Sequence, residues 1–214
     1  MKKLISFELF LSAFLASHLV YAGDVYPSYS SLILSEKEGI SFRVKLLDRK
    51  SQVSVLAIHG GRIEEGSDVF AEALASQEFN FYAFIAMKPK DNRSLHVTSS
   101  HFDDPRAIEM IKRSKVVLSV HGFKGSGIDE ICFGGRSELL KSQIISVIQK
   151  LKSDIVLSKQ CFGLDGTDPK NLVNFGTSSG VQIELSQHLR VRLMKNEKFR
   201  IILAGALRSV IQKQ

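Results

Sequence analysis

The order of hydrophobic and polar positions along the chain predicts strands that alternate with helices. Two stretches, 53–58 and 116–120, are continuous runs of aliphatic and β-branched residues, a pattern typical of strands buried on both faces. Apolar segments over 80–86 and 95–98 predict two more strands. Over 181–185, apolar and polar residues alternate, which indicates a strand with one solvent-facing side.

Apolar residues that recur at three- and four-residue spacing predict the helices. One of these helices begins at an Asp-Pro pair, a common helix start. Because strands and helices alternate, the predicted fold class is α/β. We expect a single domain with an open, mixed or mostly parallel sheet and helices on both faces. The predicted helices cover 67–77, 104–113, 136–151, 187–193 and 196–213, and an extended lead-in is expected over 24–29.

Composition and charge narrow the class of protein but do not select a partner. With 44% hydrophobic and 24% charged residues, the chain has the composition of a globular domain, which excludes disordered and collagen-like classes. Lys and Arg number 29 against 22 Asp and Glu, a net charge of +7. This excess suits nucleic acid, an anionic membrane surface or an acidic substrate.

Residues 1–22 have the pattern of a secretory signal peptide. A positively charged start precedes an apolar stretch over 4–20, and a small-residue cleavage site ends at Ala22. The alternative is a membrane anchor, which Glu8 inside the apolar stretch disfavours. Cleavage leaves 27 basic and 21 acidic side chains, or +6, in a catalytic domain over 23–214. We therefore expect a protein exported to the periplasm or secreted, and not held at the membrane.

The two cysteines, Cys132 and Cys161, have two open interpretations. An oxidising compartment permits a disulfide between them. The alternative is a pair of unpaired thiols that act as small apolar residues.

Polar groups that suit metal chemistry follow the predicted strands. His59 and Glu64 come after the first strand, His121 comes after the fourth, and Glu184 lies in the last. Ligands of open α/β sheets bind outside the carboxyl ends of the strands. Two imidazoles and a carboxylate are the ligands of many hydrolytic zinc sites, and Glu184 would then serve as general base.

Each of these assignments has an ordinary alternative. A single His after a strand is commonly a hydrogen-bonded structural residue, and Glu184 could be a solvent-facing strand residue. Glu65 could replace Glu64 as ligand, since the two are adjacent. We expect a tight turn at the two glycines after His59, which would let His59 and Glu64 converge.

Four blocks of sequence resemble the poly-γ-glutamate hydrolase family, with the similarity extending over about 30–195. This resemblance implies one zinc ion and an α/β zinc-peptidase fold related to the carboxypeptidase A group, cleaving γ-glutamyl amide bonds. The family motif H-G-G-x-I-E falls on His59 and Glu64, and the second His of the family falls on His121. Ordinary carboxypeptidases instead space their first ligands as H-x-x-E. The blocks are Ala57–Leu74, Leu95–Pro105, Val117–Gly122 and Asn171–Arg190.

Basic and polar residues near the proposed site are candidates for binding an acidic substrate. For each charged residue the alternative is a solvated side chain, and for each amide or imidazole it is a turn residue. His96 is a further candidate to orient metal ligands. The candidate substrate-binding residues are Arg62, Lys124, Arg190, His101, Asn171 and Asn174.

The predicted function is therefore a zinc-dependent hydrolase that acts, as a monomer, on poly-γ-glutamate or a related acidic peptide or cell-wall polymer. One alternative is a basic nucleic-acid-binding protein, although the sequence has no recognisable nucleic-acid-binding motif. The other is a domain that binds acidic polymers without cleaving them.

Overall fold

The computed structural model describes residues 23–159, 161, 163–178 and 180–214, so the predicted signal peptide lies outside the described residues. Seven strands form one sheet. They are β1 Phe42–Leu47, β2 Val53–Gly61, β3 Asn80–Ala86, β4 Val116–Phe123, β5 Glu130–Gly135, β6 Val156–Ser158 and β7 Val181–Ser186.

The helices pack on both faces of this sheet, as predicted. The α-helices are α1 Tyr29–Ser35, α2 Ser67–Ala75, α3 Pro105–Lys112, α4 Glu138–Lys150, α5 Gln187–Lys195 and α6 Glu197–Ile211. Short 3₁₀ turns lie at Asn92–Leu95, Ser99–His101 and Leu172–Asn174. The start of α3 is capped by Asp104, which accepts from the Arg106 amide and precedes Pro105 at the first helical position.

The strand order is β1-β3-β2-β4-β7-β5-β6. The four central strands β3, β2, β4 and β7 run parallel to one another. β1 is antiparallel to β3, and β5 is antiparallel to β7, with β6 parallel to β5. The predicted α/β class with a mixed sheet is confirmed. Because the central strands are parallel, their carboxyl ends meet at one edge.

The core consists of two apolar layers, one on each face of the sheet. Along β2, Val55 and Ala57 pack with α2, α4, α5 and α6, whereas Leu56 and Ile58 pack with α1 and α3. This alternation explains why 53–58 is apolar throughout: both faces are buried under helices.

Several details differ from the prediction. The 95–98 segment is not a strand, because Val97 turns its carbonyl to His59 instead of to a neighbouring strand. The lead-in over 24–29 bends and enters α1 instead of staying extended. β1, β5, β6 and α1 were not anticipated. β2 and β4 also run past their predicted ends, to Gly61 and Phe123.

Cys132 and Cys161 form a disulfide with a Cα–Cα distance of 5.5 Å, so the first of the two open interpretations holds. The bond ties β5 to the loop that precedes β7. Within the described part of the chain, no helix has the length and apolarity that a membrane crossing requires.

Candidate active site

A bend at the end of β2 brings His59 and Glu64 together. The register of β2 with β3 shifts between Ala57 and Gly60, and the Glu64 amide donates to the His59 carbonyl at 2.9 Å. Gly61 has φ +63°, and a Cβ there would collide with the backbone of Ala86. β2 continues through Gly60 and Gly61. The turn that was predicted at these two glycines lies after them instead, between Gly61 and Glu64.

The tautomer of His59 is fixed by the backbone. Its Nε2 atom lies 2.9 Å from the Val97 carbonyl, which can only accept a hydrogen bond, so Nε2 carries the proton. The other nitrogen, Nδ1, lies 3.1 Å from Oε1 of Glu64 and 3.0 Å from Nδ1 of His121. Potential ligand atoms from three side chains therefore converge on one point.

This convergence fits a metal ion. The Nδ1 atoms of His59 and His121 are 3.0 Å apart, and the two Glu64 carboxylate oxygens lie 3.1 Å from the first (Oε1) and 3.6 Å from the second (Oε2). Two ligands at zinc–nitrogen or zinc–oxygen distances in a tetrahedron are about 3.3 Å apart. His59, Glu64 and His121 are all buried, and they form a group that could hold a metal ion. Glu65 is exposed, and its carbonyl accepts a hydrogen bond from Arg190, so among the described residues the structure brings Glu64 and not Glu65 into the cluster.

The electrostatics of the cluster favour a positive charge. Burial tends to raise the pKa of Glu64, but the neighbouring His59 and His121 outweigh it and hold the pKa well below its ordinary value. Burial tends to lower the pKa of His121, but the Glu64 hydrogen bond and the Glu184 charge raise it overall. The Nε2 atom of His121 is buried without a hydrogen-bond partner among the described residues, whereas its Nδ1 atom faces His59 and Glu64.

Glu184 lies beside this cluster on β7, where it pairs in register with His121 on β4. Its side chain is 2% exposed, so the alternative of a solvent-facing strand residue is wrong. The polar side of β7 faces the site instead of bulk water. Burial raises the pKa of Glu184 to about 7, partly offset by the charge of His121.

A chain of amide side chains orients Glu184. Gln182 donates from Nε2 to Oε1 of Glu184 at 2.9 Å and to the Leu164 carbonyl at 3.0 Å. Asn171 donates in turn to Oε1 of Gln182 at 3.1 Å, and its own Oδ1 accepts from the Val173 amide. Gln182 was missed in the sequence; its position two residues before Glu184 on an alternating strand was the available signal.

A cavity of about 550 Å³ opens over these residues. Its described lining includes His59, Glu64, His121 and Glu184 together with the loop 163–168. Apart from histidines, the charged residues of this lining are two bases and four acids: Arg93, Lys124, Glu64, Glu184, Asp165 and Asp168. The positive excess of the chain is therefore not concentrated in the cavity.

The six candidate substrate-binding residues divide into three pairs. Lys124 and Asn171 line the cavity. Arg62 and Arg190 line a neighbouring one instead. The Arg190 side chain is buried, and it donates to the carbonyls of Glu65, Leu185 and Phe123. His101 and Asn174 line neither cavity: His101 is exposed on a 3₁₀ turn, and Asn174 donates to the carbonyls of Gly166 and Asp168.

His96 and a residue not anticipated, Asp24, complete the surroundings of His59. The His96 ring stacks on the His59 ring with centroids 4.0 Å apart. Nδ1 of His96 lies 2.5 Å from Oδ1 of Asp24. Burial lowers the pKa of His96 to about 4, helped by the charge of His59 and opposed by Asp24. No local sequence pattern indicates Asp24, because its contacts are more than 70 residues away.

Comparison with known proteins decides the family. The sequence profile of the family described as poly-gamma-glutamate hydrolase matches residues 26–204. The chain belongs to the poly-γ-glutamate hydrolase family. It is 32% identical over 192 residues to UPF0714 protein YndL of Bacillus subtilis (strain 168), covering 89% of this chain and 75% of YndL. UPF0714 protein YmaC of the same organism is 29% identical over 206 residues, covering 89% and 85%.

Solved structures of family members agree with this fold. A bacteriophage poly-gamma-glutamate hydrolase superposes with a TM-score of 0.80 at 26% identity, covering 89% of this chain and 97% of that one. The zinc-free apo form of YndL superposes with a TM-score of 0.74 at 30% identity, covering 89% and 96%. The resemblance stated from the four sequence blocks is thus confirmed.

Proposed function

We propose that the protein is a zinc-dependent hydrolase that cleaves γ-glutamyl amide bonds of poly-γ-glutamate or a related acidic peptide or cell-wall polymer. The observation that carries this proposal is the convergence of potential ligand atoms from His59, Glu64 and His121 beside the buried carboxyl of Glu184. Membership in a hydrolase family and the zinc-free description of the YndL structure support it.

In this proposal, one zinc ion is held by Nδ1 of His59, Nδ1 of His121 and the Glu64 carboxylate. The ion supplies a Lewis acid that makes water acidic enough to lose a proton near neutral pH and that polarises a carbonyl. The backbone of the chain keeps the ligands in place. Val97 fixes the His59 tautomer, and the Gly122 amide donates to Oε2 of Glu64 at 2.8 Å.

Glu184 is the general base and acid in this proposal. Its carboxylate takes a proton from water as the water attacks the scissile carbonyl, and then delivers that proton to the departing amine nitrogen. Gln182 holds Oε1 of the carboxylate at 2.9 Å, which leaves Oε2 to exchange the proton. A pKa raised by burial to about 7 suits a group that must both accept and release a proton near neutral pH.

Substrate carboxylates bind in this proposal through Lys124 and Arg93, the two basic residues of the cavity lining other than histidines among the described residues. Arg93 was not anticipated. Arg62 and Arg190 lie at the neighbouring cavity, which shares Arg93 and Lys124 with the first, so a longer polymer could extend towards them. Asn171, with its amide already used by Gln182 and Val173, serves to orient the base.

Export and a monomeric state are further parts of the proposal. The Cys132–Cys161 disulfide supports export, because such bonds persist in oxidising compartments. The proposed ligands and base come from one chain, which supports a monomer that works without a partner subunit. The predicted boundary between signal peptide and catalytic domain at residue 22 remains a prediction.

The test is metal analysis of the purified 23–214 chain, paired with hydrolysis of poly-γ-glutamate before and after chelation and after zinc is returned. We expect one zinc per chain, loss of hydrolysis on chelation and recovery with zinc. Full activity in metal-free protein would overturn the zinc assignment. Zinc-loaded protein that binds the polymer without cleaving it would indicate the non-catalytic alternative, and salt-sensitive DNA binding by metal-free protein would indicate the nucleic-acid alternative.

A further inference from the structure

Asp24, near the start of the described chain, contacts a segment more than 70 residues later. Its Oδ2 atom accepts from the Thr98 amide at 2.6 Å, and its Oδ1 atom lies 2.5 Å from Nδ1 of His96. The Asp24 side chain is 15% exposed. Burial tends to raise the pKa of Asp24, but the hydrogen bonds from Thr98 and His96 outweigh it, so the group stays ionised at neutral pH.

The peptide unit that Asp24 holds is the one that holds His59. The Thr98 amide and the Val97 carbonyl are the two ends of one peptide group, which is planar and trans and so points them in opposite directions. The amide end donates to Asp24, and the carbonyl end accepts from Nε2 of His59 at 2.9 Å. Carboxylate, peptide and imidazole are therefore connected in series.

Such a series has two effects on His59. A carboxylate on the amide end polarises the peptide and makes its carbonyl a stronger acceptor, because hydrogen bonds in a chain strengthen one another. A stronger hydrogen-bond acceptor opposite Nε2 holds the ring in place. It also makes Nδ1 a better electron-pair donor to a metal ion. A backbone carbonyl contacts the ligating His directly, as is common, and here a carboxylate lies behind that carbonyl, on the other end of its peptide group.

We propose that Asp24 is a positioning residue for the metal site, acting on His59 through the peptide group between Val97 and Thr98. The second Asp24 contact acts on the same ring. Because Oδ1 anchors His96, which stacks on His59 at 4.0 Å, the two contacts limit both the tilt and the rotation of the ligand. This inference rests on the proposed zinc site.

The chain offers a matched control. Asp103 also accepts two hydrogen bonds from the N-terminal segment, from the Ser30 amide at 2.8 Å and the Ser30 hydroxyl at 2.7 Å. Asp103 does not line the cavity and has no contact with His59 among the described interactions. Asp103→Ala therefore loosens the same segment by the same number of hydrogen bonds without touching the metal ligands.

The experiment measures zinc affinity by competition with a chromophoric chelator for the 23–214 chain and its Asp24→Ala, Asp24→Asn and Asp103→Ala variants. We expect Asp24→Ala to weaken zinc binding by about 10- to 100-fold, the range found when outer partners of a metal ligand are removed. Asp24→Asn keeps an acceptor for Thr98 but loses the charge, so we expect a smaller loss. Asp103→Ala should bind zinc like the unchanged chain.

A second readout is the visible spectrum of the cobalt-substituted proteins, which reports ligand geometry independently of turnover. We expect the bands to shift in Asp24→Ala and not in Asp103→Ala. Equal zinc affinity and equal spectra in these two variants would overturn the inference. If Asp24→Ala does not fold, Asp24→Asn decides by the same comparison. An unchanged chain that binds no zinc would instead overturn the proposed function.

Discussion

Replacing Glu184 with Gln is the sharpest single test of the proposed chemistry. The substitution keeps the size and shape of the side chain, and the Gln oxygen can still accept the hydrogen bond that Gln182 donates at 2.9 Å. The change therefore removes the capacity to hold a proton and leaves the packing of β7 in place. Because Glu184 is not one of the three converging ligand residues, zinc should stay bound.

The expected loss follows from the role assigned to this carboxyl. A positioned general acid or base contributes about 10²- to 10⁴-fold to the rate. The buried side chain has a pKa of about 7, so in the unchanged protein it accepts and releases a proton with little penalty near neutral pH. We expect kcat of Glu184→Gln to fall within that range, with a much smaller change in KM.

The assay is release of new amino groups from poly-γ-glutamate by zinc-loaded protein, with metal content measured on the same samples. Glu65→Gln is the matched control, since Glu65 is an exposed neighbour of Glu64 whose carboxylate lies outside the cluster. Turnover of Glu184→Gln above roughly a tenth of normal would refute the general-base role, given the contribution expected of it. Loss of zinc would place Glu184 among the ligands.

Three further outcomes are expected. Gly122→Ala places a Cβ against the Arg190 guanidinium, so it should lower stability by about 1–3 kcal/mol, measured by thermal unfolding; an unchanged midpoint would contradict this packing. Cys132→Ser should lower the free energy of unfolding by about 3–4 kcal/mol, since the disulfide spans 29 residues. Because the bond tethers the loop that precedes β7, the same substitution should raise KM more than it weakens zinc binding. In zinc-free protein the pKa of Glu184 rises from 4.5 to about 7 on folding. The contribution of this group to the free energy of unfolding is therefore full below pH 4.5 and is lost as the pH rises from 4.5 to 7, by up to roughly 1.4 kcal/mol per pH unit. Glu184→Gln should flatten this part of the pH dependence in denaturant titrations.

The sequence predicts those elements whose hydrophobic pattern results directly from how they are buried. β2 and β4 are uniformly apolar because helices cover both faces, so their existence follows directly from the sequence. β5 contains a glycine pair and a disulfide cysteine, and β6 has three residues, so neither carries a strong periodic signal. The 95–98 segment has strand-like residues, but its backbone serves His59, a tertiary demand that local propensity does not show.

The candidate site divides in the same way. The place of His59, His121 and Glu184 in the site could be predicted, because the ends of parallel strands meet at one edge of the sheet. The place of Glu64 could be predicted from the family motif. The places of Asp24 and Arg93 could not be predicted in this way, because they depend on how loops distant in the sequence pack over that edge. The role of Arg190 was equally difficult to predict. Its position near the site suggested a substrate contact, whereas it donates to three carbonyls and so joins the ends of β4 and β7 to the bend that contains Glu64.

The charge of the protein acts at two distances. The net charge of +6 expected for residues 23–214 would attract a polyanion to the surface of the protein, over a Debye length of about 8 Å at physiological salt. Inside the cavity, the described lining has two basic side chains against the carboxyls of Glu64, Glu184, Asp165 and Asp168, which would repel the carboxylates of the same polymer. The proposed zinc ion would offset two of these negative charges. Under the proposed function, the metal would therefore help to admit an acidic substrate as well as to cleave it, at a depth where the basic surface acts only weakly.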